Sequence, residues 1–167
     1  MRKMTETDLA AAFAGESQAH MRYKIFAEKA REEGLPNIAR LFEAISYAEQ
    51  VHATNHLRAL SGVNTTADNL GVAIGGENFE VDEMYPAYMA VAKLQDEKGA
   101  VLSMHYALEA EKIHASMYET ARQSAVAKND IALGTVQICS VCGYTVEGDA
   151  PDKCPICAAT KDKFRSF

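Results

Sequence analysis

The sequence has no cluster of basic residues and no long apolar run, and each absence closes off a class of function. Among its 167 residues, 17 Lys and Arg stand against 23 Asp and Glu, a net charge of −6. Without a basic patch to track a phosphate backbone, nucleic acid is excluded as a main partner. No stretch reaches the roughly 20 apolar residues that cross a bilayer, so no membrane is expected. The N-terminus, Met1-Arg2-Lys3-Met4-Thr5-Glu6, lacks the apolar core of a signal peptide, and the expected location is the cytoplasm. Cysteine is scarce, with four in all, and in a reducing compartment paired cysteines more often hold metal than form disulfides. What remains, 48% hydrophobic and 24% charged, is the composition of a soluble globular protein. Its length suits one ordinary domain with a small appendage.

The chain is organised around Glu49-Gln50-Val51-His52. On a helix that spacing puts carboxylate and imidazole on one face about one turn apart. Ile38, Leu41, Phe42 and Ile45 precede them on the same stripe, so an apolar face expected to be buried ends in two ionisable groups. Burying these bare is costly, and a metal ion is the usual compensation. An isolated pair of this kind is commonly a solvated helix face. Here it recurs as Glu111-Lys112-Ile113-His114, behind Val101, Met104 and Leu108.

Helical periodicity is expected over residues 5–33, 37–61, 69–96 and 100–128. Thr5 with Asp8 reads as the first N-cap. Gly34 and Pro36 read as the first inter-helix turn, and Pro86 is expected to bend the third helix. The halves form a repeat. Glu16 precedes Glu49 by 33 residues and Glu77 precedes Glu111 by 34, each pair spanning one short turn. Two such hairpins stacked together make a four-helix bundle with four Glu and two His directed at one point on its axis. The second turn has Asp96 where the first has Gly34, which puts its local shape in doubt.

After a linker at residues 129–135 the helical period disappears. Cys139-Ser140-Val141-Cys142 and Cys154-Pro155-Ile156-Cys157 are two Cys-x-x-Cys knuckles separated by eleven residues. Together they can enclose one ion tetrahedrally, iron or zinc. A module of about 30 residues has too little core to fold alone, so metal should supply much of its folding free energy. The domain division is therefore 1–130 for the bundle and 131–167 for the cysteine module.

Carboxylate-rich ligands with one imidazole per ion suit iron or manganese. The four charges of Glu16, Glu49, Glu77 and Glu111 balance two divalent ions, and Glu80 is a spare carboxylate one turn from Glu77.

These motifs, with Phe13-Ala14-Gly15-Glu16-Ser17-Gln18-Ala19, Gly76-Glu77-Asn78-Phe79-Glu80 and Met84-Tyr85-Pro86, make the chain resemble the rubrerythrins over essentially its whole length. The resemblance implies an all-α ferritin-like four-helix bundle with a small C-terminal rubredoxin-like domain whose four cysteines bind metal. It implies two irons held by Glu16, Glu49, His52, Glu77, Glu80, Glu111 and His114, with Glu49 and Glu111 bridging, Glu16 and Glu77 terminal, and one iron exchanging Glu80 for His52 on reduction. A single iron would sit on Cys139, Cys142, Cys154 and Cys157, and manganese or zinc could substitute. Tyr23 and Tyr85 match tyrosines that hydrogen-bond ligand carboxylates. The implied activity is reduction of hydrogen peroxide to water by a homodimer or higher homo-oligomer, with a rubredoxin or an NAD(P)H-dependent reductase as electron donor. The alternative is a ferroxidase, iron-storage or oxygen-reducing protein of the same bundle class. His20 and His56 each lie one turn from a ligand but read as solvent-facing or hydrogen-bonded, and His105 stands apart.

Overall fold

The computed structural model describes all residues, 1–167. It separates into two compact units, Met1–Asn64 and Thr65–Phe167.

The first unit is a helical hairpin of α1 (Lys3–Glu32) and α2 (Pro36–Ala59). Helix α1 begins upstream of the expected cap. Arg2 occupies the N-cap position with no side-chain bond, and Glu6 N already donates to Arg2 O at 3.0 Å. Lys3 and Met4 are good helix formers, so the helix runs through Thr5 instead of starting there. The turn closes as expected, with Gly34 left-handed at φ 74° and Pro36 opening α2. The buried seam is built from small residues: Ala27 and Ala30 on α1 face Ala39, Ser46 and Ala53 on α2, each less than 9% exposed. The last three recur every seven residues and let the backbones approach closely. The stripe expected to be buried behaves differently, with Ile38 46%, Leu41 61% and Ile45 43% exposed. Two helices can hide only the strip between them, and this wider face lies outside it.

The second unit opens with α3 (Thr66–Phe79), capped by Thr65, whose hydroxyl oxygen accepts from Asp68 N at 3.2 Å while its proton goes to the Asp68 carboxylate at 2.6 Å. The single bent helix expected over 69–96 is three pieces. After α3 the chain widens into a π-helical turn at Glu80–Met84, then resumes as α4 (Tyr85–Leu94). In the widened turn Tyr85 N donates to Glu80 O, five residues back. Pro86 lands in the first turn of the resumed helix, directly after the widened turn. The turn before α5 (Lys98–Val126) keeps the left-handed residue, with Asp96 at φ 54° standing where the first hairpin uses glycine.

The cysteine module follows, with β1 (Val136–Cys139) between β2 (Thr145–Glu147) and β3 (Phe164–Ser166), both antiparallel to it. Cys139, Cys142 and Cys154 form its buried centre, walled by Tyr144, Ile156 and Phe164 and by Tyr106 of α5. No helix is long and apolar enough to cross a membrane.

Candidate metal centres

Each knuckle is folded by its own backbone. Gly143 N donates to Cys139 O and Cys139 N to Tyr144 O, both at 2.9 Å; Ala158 N donates to Cys154 O at 2.9 Å and Cys154 N to Ala159 O at 2.8 Å. Gly143 and Ala158 are both left-handed, at φ 81° and 60°, because the turn must curl back to aim two sulfurs at one point. Cys139 and Cys157 Sγ lie 3.6 Å apart, and Cys142 and Cys154 Sγ 3.5 Å. A disulfide needs about 2.05 Å. Sulfurs about 2.3 Å from a central tetrahedral ion are about 3.8 Å from one another, so the spacing fits an ion and excludes disulfides. Burial pushes the Cys142 thiol up, and the other three cysteines add to it. A bound cation removes that penalty, and backbone N–H groups of Tyr144, Ile156, Cys157 and Ala159 point at the sulfurs.

The first unit gathers Glu16 of α1 with Glu49 and His52 of α2, their donor atoms within 4.8 Å of one another. His52 Nδ1 lies 2.9 Å from Glu49 Oε2 and 3.8 Å from Glu16 Oε1. One turn away, His20 and Ser46 pin the helices together. Ser46 Oγ donates to His20 O at 2.8 Å, and His20 Nδ1 lies 2.9 Å from Ser46 O. His20 thus takes its hydrogen-bonded reading, and the clasp fixes the relative height of Glu16 and Glu49.

The second unit gathers Glu77, Glu111 and His114 in the same way. His114 Nδ1 is 2.6 Å from Glu111 Oε2. The Glu77 carboxyl is pushed up to about 7 by burial and by the charge and hydrogen bond of Glu111, with Glu80 adding to the effect and His114 opposing it. Glu80 is raised by burial and by Glu111. Tyr85 is raised by burial and then by the charges of Glu80, Glu111 and Glu77. Carboxylates held this close share a proton until a cation replaces it. The donor sets therefore suit hard divalent ions, and their placement, two carboxylates and one imidazole in each unit, is the repeat read from the sequence. Tyr23 packs its ring against Phe26 and Phe42, with centroids 6.4 and 6.1 Å away.

Reasoning from sequence missed two polar contacts. The signal for Ser46 was present, a hydroxyl in a seam otherwise of alanines. Thr145, whose Oγ1 lies 2.8 Å from His114 Nε2, had none, since it follows the knuckle with no ligand spacing of its own.

The family model described as Rubrerythrin matches residues 8–122, and that described as Rubrerythrin, rubredoxin-like domain, matches residues 137–165. The chain belongs to the rubrerythrin family. It is 46% identical to Rubrerythrin-2 of Clostridium acetobutylicum over 98% of this chain and 97% of that one. It is 34% identical to nigerythrin of Nitratidesulfovibrio vulgaris, over 98% and 86%. Solved structures of nigerythrin match with TM-scores of 0.55 for a mixed-valence state, at 35% identity, and 0.56 for a fully reduced, all-ferrous state, at 34%. Each covers 98% of this chain and 86% of that one. As expected for a rubrerythrin, the fold class is a ferritin-like helical bundle with a rubredoxin-like four-cysteine module, and the cofactor is iron.

Proposed function

We infer that the protein is a non-haem di-iron peroxidase that reduces hydrogen peroxide to water as a defence against oxidative stress. The observation that carries this reading is one chain bearing two Glu-Glu-His sets and a tetrathiolate module packed against the helix of one of them. Glu16, Glu49, His52, Glu77, Glu80, Glu111 and His114 would hold the iron pair, and Cys139, Cys142, Cys154 and Cys157 the single iron. When bound, an iron pair would supply together the two electrons that peroxide needs, and a tetrathiolate iron would supply electrons singly. The balance is one peroxide, two electrons and two protons to two waters.

The residues set the conditions for that chemistry. Half-buried carboxylates neutralise the ions and keep bulk water from the reacting atoms. Glu77, whose carboxyl is pushed up to about 7 by burial and by the Glu111 charge, would give up its proton on binding metal. Tyr85, whose hydroxyl feels the charges of Glu80, Glu111 and Glu77, would be the residue to hydrogen-bond a ligand carboxylate. Residues 1–130 serve as the peroxide-reducing domain and 131–167 as the electron-carrying one. The donor is a rubredoxin or an NAD(P)H-dependent reductase of the cytoplasm. The exposed Ile38, Leu41 and Ile45 of α2 support a homodimer or higher homo-oligomer, since apolar side chains on one stripe gain most by facing another copy.

The test is anaerobic reduction followed by stopped-flow mixing with peroxide and with oxygen. Reoxidation of both iron colours should be much faster with peroxide. Much faster reoxidation by oxygen would instead favour the ferroxidase alternative.

A further inference from the structure

The two histidines of the repeat are held differently. His52 has its side chain 53% exposed, and its Nε2 faces no partner. His114 is 30% exposed and is gripped at both nitrogens. Its Nδ1 faces Glu111, and its Nε2 lies 2.8 Å from the hydroxyl of Thr145, a residue 4% exposed that belongs to the cysteine module. The hydroxyl has one proton, and that proton is committed to Gly143 O at 3.0 Å. Thr145 Oγ1 therefore accepts, and His114 must carry its hydrogen on Nε2. Nδ1 is then the nitrogen that faces the carboxylates, 2.6 Å from Glu111 Oε2, where a bound cation would take the place of the proton between them.

The grip originates in the metal-binding knuckle itself. Thr145 stands three residues after Cys142, and Gly143, whose carbonyl takes its proton, is fixed by its own N–H on Cys139 O at 2.9 Å. The left-handed backbone, φ 81°, favours glycine there, and a Cβ would come into ordinary contact, 3.8 Å, with the Cβ of Ala110 on α5. The knuckle thus rests on α5 one turn before His114.

We propose that Thr145 is a positioning residue for His114, through which the folded cysteine module fixes the tautomer and direction of a ligand belonging to the carboxylate site of the same chain. This rests on the reading of Glu77, Glu111 and His114 as metal ligands. It makes the cysteine module a structural support of the second centre as well as an electron carrier, and it predicts that emptying the module loosens that centre.

Full-length protein with zinc in the cysteine module is titrated with Co(II), and the weak visible absorption of oxygen- and nitrogen-bound cobalt gives the affinity of the carboxylate sites. Thr145→Val keeps the shape but loses the hydroxyl, and should weaken binding at the Glu77 set about 10–100-fold. Thr145→Ser should restore wild-type affinity, and zinc uptake by the cysteines should not change in either. Thr145→Ala gives the same reading should valine crowd the knuckle. Equal cobalt affinity in wild type, Val and Ala, or no rescue by Ser, overturns the proposal. Failure of the wild type to bind cobalt outside the cysteines overturns instead the ligand reading beneath it.

Discussion

Lowering the pH from 8 to 5 should strip metal from the Glu77–Glu111–His114 set far more steeply than from a site built on ordinary carboxylates. The Glu77 carboxyl is held up to about 7 by burial and by the Glu111 charge beside it, so below that pH a cation must displace a proton to bind. Competition at a single site of this kind weakens apparent affinity about tenfold at pH 6 and about 100-fold at pH 5, the latter equal to roughly 2.7 kcal/mol. A carboxyl at its usual value of 4.5 would cost less than about 1.5-fold at pH 5. Other ligands also take up protons over this range, so the comparison is made with Glu77→Gln, which loses a ligand and binds more weakly at every pH. The steepness lost in that variant isolates the Glu77 proton. Cobalt titrations of zinc-filled protein at several pH values read both curves. Parallel curves for wild type and variant would refute the reasoning. The same proton has the opposite effect on metal-free protein. A group raised on folding stabilises fully below its unfolded value, and that stability is lost as pH rises from about 4.5 through about 7. Solvent screening of this half-buried group limits the loss to about 1–2 kcal/mol.

Cys139→Ser should weaken, without abolishing, iron binding at the Glu77 set, and should abolish steady turnover with an external reductant even when iron is supplied to saturation; undiminished turnover would remove the cysteine module from the electron path. Ser46→Ala deletes the hydroxyl that clasps α1 to α2 and should destabilise the metal-free protein by about 1–2 kcal/mol, read from urea unfolding. An unchanged midpoint would show the clasp to be incidental. Asp96→Gly relieves a left-handed residue whose side chain is 84% exposed and should be neutral or stabilising by up to about 1 kcal/mol in thermal unfolding. Clear destabilisation would mean that Asp96 contributes more than its backbone shape.

The ligand sets are legible in the sequence because helices translate spacing into direction: a step of three from Glu49 to His52, or from Glu111 to His114, leaves little freedom in where the groups point. The cysteine knuckles are legible for the same reason in a tighter turn. What escapes depends on competition between weak local terms. Thr5 has the pattern of a cap, yet Lys3 and Met4 carry α1 past it, while Thr65, with the same Thr-x-x-Asp spacing, does cap α3. Pro86 reads as the cause of a bend, although the chain begins its irregularity at Glu80 and sets the proline just after it. Ile38, Leu41 and Ile45 form an apolar stripe as expected, but periodicity alone does not say whether a stripe is covered within its own chain. The bond between Thr145 and His114 joins residues 31 apart, and no local pattern encodes it.

The proposed function, in which the protein carries a coupled iron pair as well as a tetrathiolate iron, is tested most directly by Mössbauer spectroscopy of protein loaded with isotopically enriched iron and then oxidised. The account predicts a magnetically coupled, diamagnetic ferric pair for every paramagnetic tetrathiolate ferric ion. Only isolated paramagnetic ferric ions outside the cysteines, or no iron there at all, would contradict it.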